Sequence, residues 1–297
     1  MDVKHSGFVA IIGKPNVGKS TLLNAVLGEK IAIVSSKPQT TRNRITGVVT
    51  RGGAQLVFLD TPGMHRARTK LGEYMVKTVN ESIADVDAAI LVVEPEAEQN
   101  PAELELLEKI GRRKIPAVLA VNKIDTVRHK EALIQIIASW SRLYDFAAVV
   151  PVSAATRDGV DLLLDEVTRL MPEGPQYFPD DTLTDQPERA VAAEIIREKL
   201  LMLLNDEIPH GTAVSIDKMH ERENSELIDI EAVIYCEKES HKGIIIGKGG
   251  EMLKKVGTLA RIDIERLIGN KVNLRLWVKV KDDWRNREGV LKTLGYD

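Results

Sequence analysis

From residue 8 to about residue 170, short apolar runs alternate with stretches whose apolar residues recur at helical spacing. FVAIIG, ITGVVTR, AQLVFLD, DAAILVVE, PAVLAVNK and AAVVPVSA predict strands, and STLLNAVLG, AELELLEKIGRR and VDLLLDEVTRL predict amphipathic helices. Strands this continuously apolar need cover on both faces, so the alternation predicts an α/β domain with a mostly parallel sheet between helices. ITGVVTR and AQLVFLD flank Gly52-Gly53, which predicts a hairpin and hence one antiparallel edge.

The pattern changes after residue 170. MPEGPQYFPDDTLTDQPE, residues 171–188, carries four of the twelve prolines and predicts a linker. A long helix from about Glu188 to Asn205 follows, then two strands around TAVSIDKM and ELIDIEAVIYCEK, a glycine-rich loop, a helix, the strand NKVNLRLWVKVK and a last helix. The expected division is a domain at 1–172, a linker at 173–187 and a smaller α+β module at 188–297.

Composition sharpens this only in part. One cysteine, Cys236, excludes an internal disulfide and fits a reducing, cytoplasmic setting; its surroundings, EAVIYCEK, predict a half-buried strand residue. Apolar runs such as AAILVV fall far short of the ~20 residues a membrane helix needs, and the start shows no signal-peptide pattern. Six scattered histidines show no metal-ligand spacing. The net charge of -3 conceals an asymmetry: residues 241–297 hold 13 Lys+Arg against 7 Asp+Glu, which leaves 28 against 37 in the rest. A basic end on an acidic body points to a polyanion partner.

Between FVAII and STLLNAVLG lies GKPNVGKS, Gly13 to Ser20, a complete GxxxxGK[ST] loop in the strand–helix setting it requires. Gly13 and Gly18 let the backbone turn its N–H groups toward phosphate oxygens, with Pro15, Asn16, Val17 and Thr21 completing the cradle. Lys19 adds a point charge, and Ser20 a hydroxyl for Mg2+. Asp60-Thr61-Pro62-Gly63 ends the strand AQLVFLD. There Asp60 can hold Mg2+ and the Gly63 N–H can approach a γ-phosphate. Thr40 or Thr41 can offer Mg2+ a further hydroxyl, Thr41 being preferred. Asn122, Lys123 and Asp125 of NKID follow PAVLAV, and the Asp125 carboxylate suits the N1–H and N2–H2 donors of guanine. Ser153 and Ala154 end AAVVPV, where the Ala154 N–H can meet guanine O6.

In order and spacing, PQTTR, DTPG, NKID and SAA make residues 6–170 resemble a translation-factor-class GTPase domain. The resemblance implies GTP or GDP, Mg2+ and mobile switch loops near 35–45 and 62–80. One departure stands out: Met64 occupies the place where Ras-like enzymes carry a water-orienting glutamine. Catalysis then falls on Asn16, Lys19, Thr41 and Gly63. In GTPases similar over PNVGKS, an asparagine at the position of Asn16 ligates a K+ ion that bridges the phosphates.

A second glycine-rich loop, IIIGKGGE, has neither a Ser or Thr after its lysine nor a strand-end acid to hold Mg2+. Ile246, Gly247, Lys248, Gly249 and Gly250, with Lys254 and Lys255 behind them, instead resemble the GXXG loop of a type II KH domain, which clamps single-stranded nucleic acid. β-Branching alone predicts strand for Ile244–Ile246, but the KH resemblance implies helix and takes precedence. Two plainer readings stay open, GKGG as a mere helix-entry turn and Trp277 and Trp284 as core residues, and the 4% aromatic content argues against a base-stacking sheet. A GTPase domain joined to a KH module resembles the Era family over essentially the whole chain. That implies a monomeric GTPase that binds small-subunit ribosomal RNA and the small ribosomal subunit during its assembly, with peripheral contact at the inner membrane. Two other readings stay open: a GTPase serving tRNA modification, and an RNA-binding protein that holds GTP without useful turnover.

Overall fold

The computed structural model describes residues 3–296 except 97, 129 and 224, so the outermost ends of the expected domains, residues 1 and 297, lie outside the described residues. Contacts divide the chain into two compact units. The first takes the stretch up to Ala32, Thr41–Arg66 and Met75–Asp185; the second takes Ile33–Thr40, Ala67–Tyr74 and Gln186 onward.

In the first unit six strands form one sheet: β1 (His5–Ile12), β2 (Ile45–Arg51), β3 (Ala54–Asp60), β4 (Ala88–Val93), β5 (Ala117–Val121) and β6 (Ala148–Pro151), in the order β2-β3-β1-β4-β5-β6. All neighbours pair in parallel except β2 and β3, the expected hairpin edge. Period-2 geometry sends successive side chains of a strand to opposite faces. Val9 and Ile11 accordingly enter one buried cluster with helices α1 (Lys19–Leu27) and α5 (Val160–Thr168). Ala10 and Ile12 enter another with α2 (Lys70–Ala84), α3 (Pro101–Arg113) and α4 (Lys130–Ser141). Two apolar layers explain why the strands read as unbroken hydrophobic runs. β1 sits between β3 and β4, so the strand order reverses at β1, and the crevice outside the carboxyl ends at such a point is where open α/β sheets hold ligands.

Of the expected linker, the stretch up to Asp185 is fastened along this unit. Gln55 Oε1 accepts from the N–H groups of Tyr177 and Phe178 at 2.8 and 2.9 Å. The rings of Phe8 and Tyr177 lie 5.0 Å apart, and Thr184 Oγ1 donates to Thr46 O at 2.6 Å. Proline fixed the backbone here without leaving it loose.

The second unit builds a three-stranded sheet from β7 (Ala213–Glu221), β8 (Leu227–Cys236) and β9 (Lys271–Val280), in that order, with β7-β8 antiparallel and β8-β9 parallel. Helices α6 (Glu188–Leu203), α7 (Glu239–Ile246) and α8 (Glu251–Ile268) cover one face, and α9 (Glu288–Thr293) ends the chain. Ile244–Ile246 are helical, as the KH resemblance implied, because Ile245 is wholly buried in this core and tertiary packing outweighs β-propensity. Cys236 is fully buried, beyond the half-burial expected of it. Trp284 is a core residue, its indole N–H donating to Gly211 O at 2.9 Å. Trp277 is not: it is 42% exposed, because its place on β9 faces away from the helices. Helix α6 buries charge as well as apolar surface. Arg197 donates to Thr40 O and Glu194, the Val34 N–H donates to Glu198 Oε1 at 3.0 Å, and Lys199 pairs with Glu198 and Asp263, so each buried charge has a partner.

Candidate functional site

The first loop leaves β1 at Gly13, where a Cβ would lie 2.4 Å from Val92 O, and enters α1 at Lys19. Asn16 and Gly18 both take positive φ, 65° and 97°, and a Cβ on Gly18 would strike Asn122 Nδ2 at 2.4 Å. The loop is therefore bare backbone backed by a helix N-terminus, with Val17 buried beneath it. Lys19 is buried and donates to Gly13 O at 3.2 Å and Lys14 O at 2.9 Å; burial draws its pKa down to about 8. Ser20 and Thr21 open α1 just behind it.

Ser20, Thr41 and Asp60 converge beside that lysine. Ser20 Oγ donates to Asp60 Oδ2 at 2.6 Å and lies 2.8 Å from Thr41 Oγ1. The Asp60 carboxyl is fully buried, and burial pushes its pKa up to about 6. Its other oxygen, Oδ1, has no hydrogen-bond partner among the described residues. A buried orphan acceptor beside two hydroxyls is the donor set a hard divalent cation takes. The choice between the two threonines is also visible, since Thr40 Oγ1 is turned to Lys37 O at 2.6 Å.

Gly63 lies against the loop so closely that a Cβ would come within 2.6 Å of Pro15 Cα, and the Met64 N–H donates to Gly13 O at 3.1 Å. The Met64 side chain packs in the core with Ile12, Val79 and Leu91. The place of the missing glutamine is thus a buried apolar plug, which accounts for a thioether there.

On the other side of the loop, NKID leaves β5. Asn122 Nδ2 donates to Val17 O at 2.7 Å, and its Oδ1 accepts from the Ala154 N–H at 2.9 Å. The Ala154 N–H is therefore engaged, and reaching guanine O6 requires that bond to be shared. Asp125 Oδ1 accepts from Ser153 Oγ at 2.6 Å. Lys123 donates to Asn16 O at 2.8 Å and to Glu94, the residue after β4. Glu94 Oε2 also lies 3.0 Å from Lys14 Nζ. Burial alone would raise the Glu94 pKa, but the two ammonium groups outweigh it and hold the carboxylate below its usual range. Glu94 was not anticipated from sequence; its signal was an acid at a strand end, the position Asp60 also holds.

In the second unit Gly247, Gly249 and Gly250 all take positive φ, 74°, 60° and 82°, between α7 and α8. Nothing lies within 4 Å of a Cβ on Gly249 or Gly250, and Lys248, Lys254 and Lys255 are exposed. A groove of about 380 Å³ runs from this loop along α8 to β9, lined by Lys254, Thr258, Arg261, Leu274 and Leu276 among others. Ile246 is partly buried at the loop's entry. Thr258 and Arg261 went unread in the sequence, although Lys254, Thr258 and Arg261 share one helical face at i, i+4 and i+7.

Comparison with known proteins identifies the family of each unit. Residues 8–123 match the family model described as 50S ribosome-binding GTPase, and residues 207–285 match the KH domain. The chain is 54% identical over 291 residues to GTPase Era of Ruminiclostridium cellulolyticum, covering 98% of this chain and 97% of that protein. To GTPase Era of Clostridioides difficile it is 52% identical over 292 residues, with 98% of each covered. An Aquifex aeolicus Era variant bound to GDP.AlF4- superposes with a TM-score of 0.95 at 37% identity, over 98% of this chain and 99% of that one. Era in complex with MgGDPNP and nucleotides 1506–1542 of 16S ribosomal RNA gives the same score and identity, over 99% of each. Near-complete coverage at this identity leaves one assignment: the chain belongs to the Era family of GTPases.

Proposed function

We propose that this GTPase couples GTP hydrolysis to binding of small-subunit ribosomal RNA and acts in assembly of the small ribosomal subunit. The observation that carries the reading is that one chain holds two glycine-rich loops of different construction, each suited to phosphate. One is a deep cradle with a buried lysine and an orphan carboxylate oxygen. The other is an open glycine loop with exposed lysines. A relative of known structure carries both a magnesium–nucleotide complex and 16S ribosomal RNA.

In this reading Gly13, Pro15, Asn16, Val17, Gly18 and Thr21 shape the cradle, and Lys19 balances charge on the phosphates. Ser20, Thr41 and Asp60 would hold Mg2+, which when bound supplies positive charge between phosphate oxygens. Gly63 presents its N–H at the γ-phosphate position with no side chain in the way. Asp125 reads guanine, Ser153 orients its carboxylate, and Asn122, Lys123 and Ala154 hold that loop to the phosphate loop. Asn16 sits inside the phosphate loop, where Lys123 holds its main-chain carbonyl, and its side-chain amide oxygen would be the K+ ligand. That ion would provide the charge that Met64 cannot.

Ile246, Gly247, Lys248, Gly249 and Gly250 clamp the RNA backbone, with Lys254 and Lys255 adding charge. The reading carries with it a cytoplasmic monomer with peripheral inner-membrane contact, both taken from the family resemblance. No helix among the described residues is long and apolar enough to cross a membrane.

The test replaces Lys248 and Gly249 with Asp. The double variant should lose RNA binding by roughly 100-fold while intrinsic GTP hydrolysis stays within about twofold, because the two sites share no residues. Unchanged RNA affinity in the folded variant would sink the clamp.

A further inference from the structure

Strand β9 has two faces with different jobs. Val272, Leu274, Leu276, Val278 and Val280 point to the core or its groove. Alternation puts Arg275, Trp277 and Lys279 on the opposite face, and all three are exposed. β9 is also the edge of its sheet. The groove leading from the glycine loop therefore ends at a strand whose other side presents an aromatic ring between two cations.

An indole left 42% open to water is an uncompensated apolar surface. Nor are its neighbours neutralised: among the described residues neither Arg275 nor Lys279 has an ion-pair partner. Glu231, beside Arg275 in register, lies 3.7 Å from Lys218, and Asp229 is taken by Arg222 and Asn273. Just past the end of β9, Lys281 Nζ lies 4.7 Å from the centre of the Tyr235 ring on the neighbouring strand β8, which adds a further cation near the same edge.

We infer that Arg275, Trp277 and Lys279 form a second nucleic-acid contact, in which single-stranded RNA leaving the groove folds over the β9 edge and stacks a base on Trp277. Continuity with the groove and the unpaired positive charge choose RNA over a protein surface. Stacking on an indole tolerates any base, while Arg275 and Lys279 are spaced to meet the phosphates on either side. The inference rests on the reading of Gly247–Gly250 as the clamp.

The experiment compares two oligouridylates on the full-length protein, one of about four nucleotides, which fills a clamp, and one of about twelve, which can reach past it. Trp277→Ala should weaken the longer RNA roughly tenfold and leave the shorter unchanged, and Trp277→Phe should restore most of the loss. Arg275→Gln with Lys279→Gln should lower the salt dependence of the longer RNA alone. Trp140 and Trp284 are buried, so quenching of fluorescence by the longer RNA should disappear in Trp277→Phe. Equal affinities for wild type and Trp277→Ala overturn the inference, as does an equal loss for both lengths. So does a variant with intact RNA affinity but weakened binding to small ribosomal subunits, which marks a protein-docking face. Failure of the clamp itself shows separately, as a Lys248→Asp, Gly249→Asp protein that still binds the shorter RNA, and removes this inference with it.

Discussion

Asp125 accepts a 2.6 Å hydrogen bond from Ser153 on one carboxylate oxygen, which joins the loop after β5 to the end of β6. The carboxylate is thereby fixed before any base arrives, and a fixed acceptor discriminates better than a mobile one.

Replacing Asp125 with Asn should therefore turn preference from GTP to xanthosine triphosphate. The amide sets a donor against guanine's N–H groups and can pair with the extra carbonyl of xanthine. GTP affinity is expected to fall by roughly 100-fold, the scale of leaving buried polar groups mispaired. Titration with both nucleotides checks it; a variant that still prefers GTP removes Asp125 as the base reader.

The Asp60 carboxyl, raised to about 6 by burial, makes magnesium affinity pH-dependent. Between the ordinary carboxylate pKa and about 6 the folded protein holds a proton that the unfolded chain lacks. This group therefore favours the folded metal-free state at low pH, and that contribution is lost as pH rises through about 6. Cation binding needs the ionised form and runs the opposite way. The Mg2+ concentration that half-saturates hydrolysis should rise as pH is lowered from about 7 to about 5, approaching tenfold per unit. A flat profile across that range contradicts the assignment of Asp60 to the metal.

Glu94 touches Lys14 of the phosphate loop and Lys123 of the base loop, and Lys123 in turn holds Asn16 O. Neutralising it as Glu94→Gln is expected to speed GDP release by roughly fivefold, a modest figure because the group is partly exposed and screened. Stopped-flow release of a fluorescent GDP measures this. Paired with Lys123→Gln, the two effects should not add, since either change opens the same link. Additive effects would count against it.

For Asn16 the measurement is hydrolysis in K+ against Na+ at matched ionic strength. Wild type should run at least about tenfold faster in K+, and Asn16→Ala should lose that difference. Equal rates in the two salts, or stimulation that survives the substitution, would remove potassium from the mechanism.

Much of this architecture was legible because the signals were redundant. Strand ends, glycine turns and chain order all led to the same cleft in the first unit, and the hairpin around Gly52-Gly53 set the antiparallel edge. Where one signal stood alone it misled. Three consecutive isoleucines read as strand, although burial of Ile245 and the turn at Gly247 fix a helix. For Trp277 the sequence left core and surface both open, since alternation alone does not say which face of a strand lies outside. The Glu94 link, Arg197 and the α8 groove escaped because each depends on residues far apart in the chain, which spacing does not report.

Asn122 and Lys123 bond to Val17 O and Asn16 O, partners 105 and 107 residues away, and Ala154 bonds back to Asn122. Base recognition thus has no local precursor: the loop and strands that make it are complete only when residue 154 is in place. During synthesis the phosphate loop leaves the ribosome long before its guanine reader. A nascent chain halted short of β6 should retain no guanine nucleotide, and one released past it should. Capture of GDP is then a clock for co-translational folding of this protein, ticking once, when the last strand of the first sheet joins.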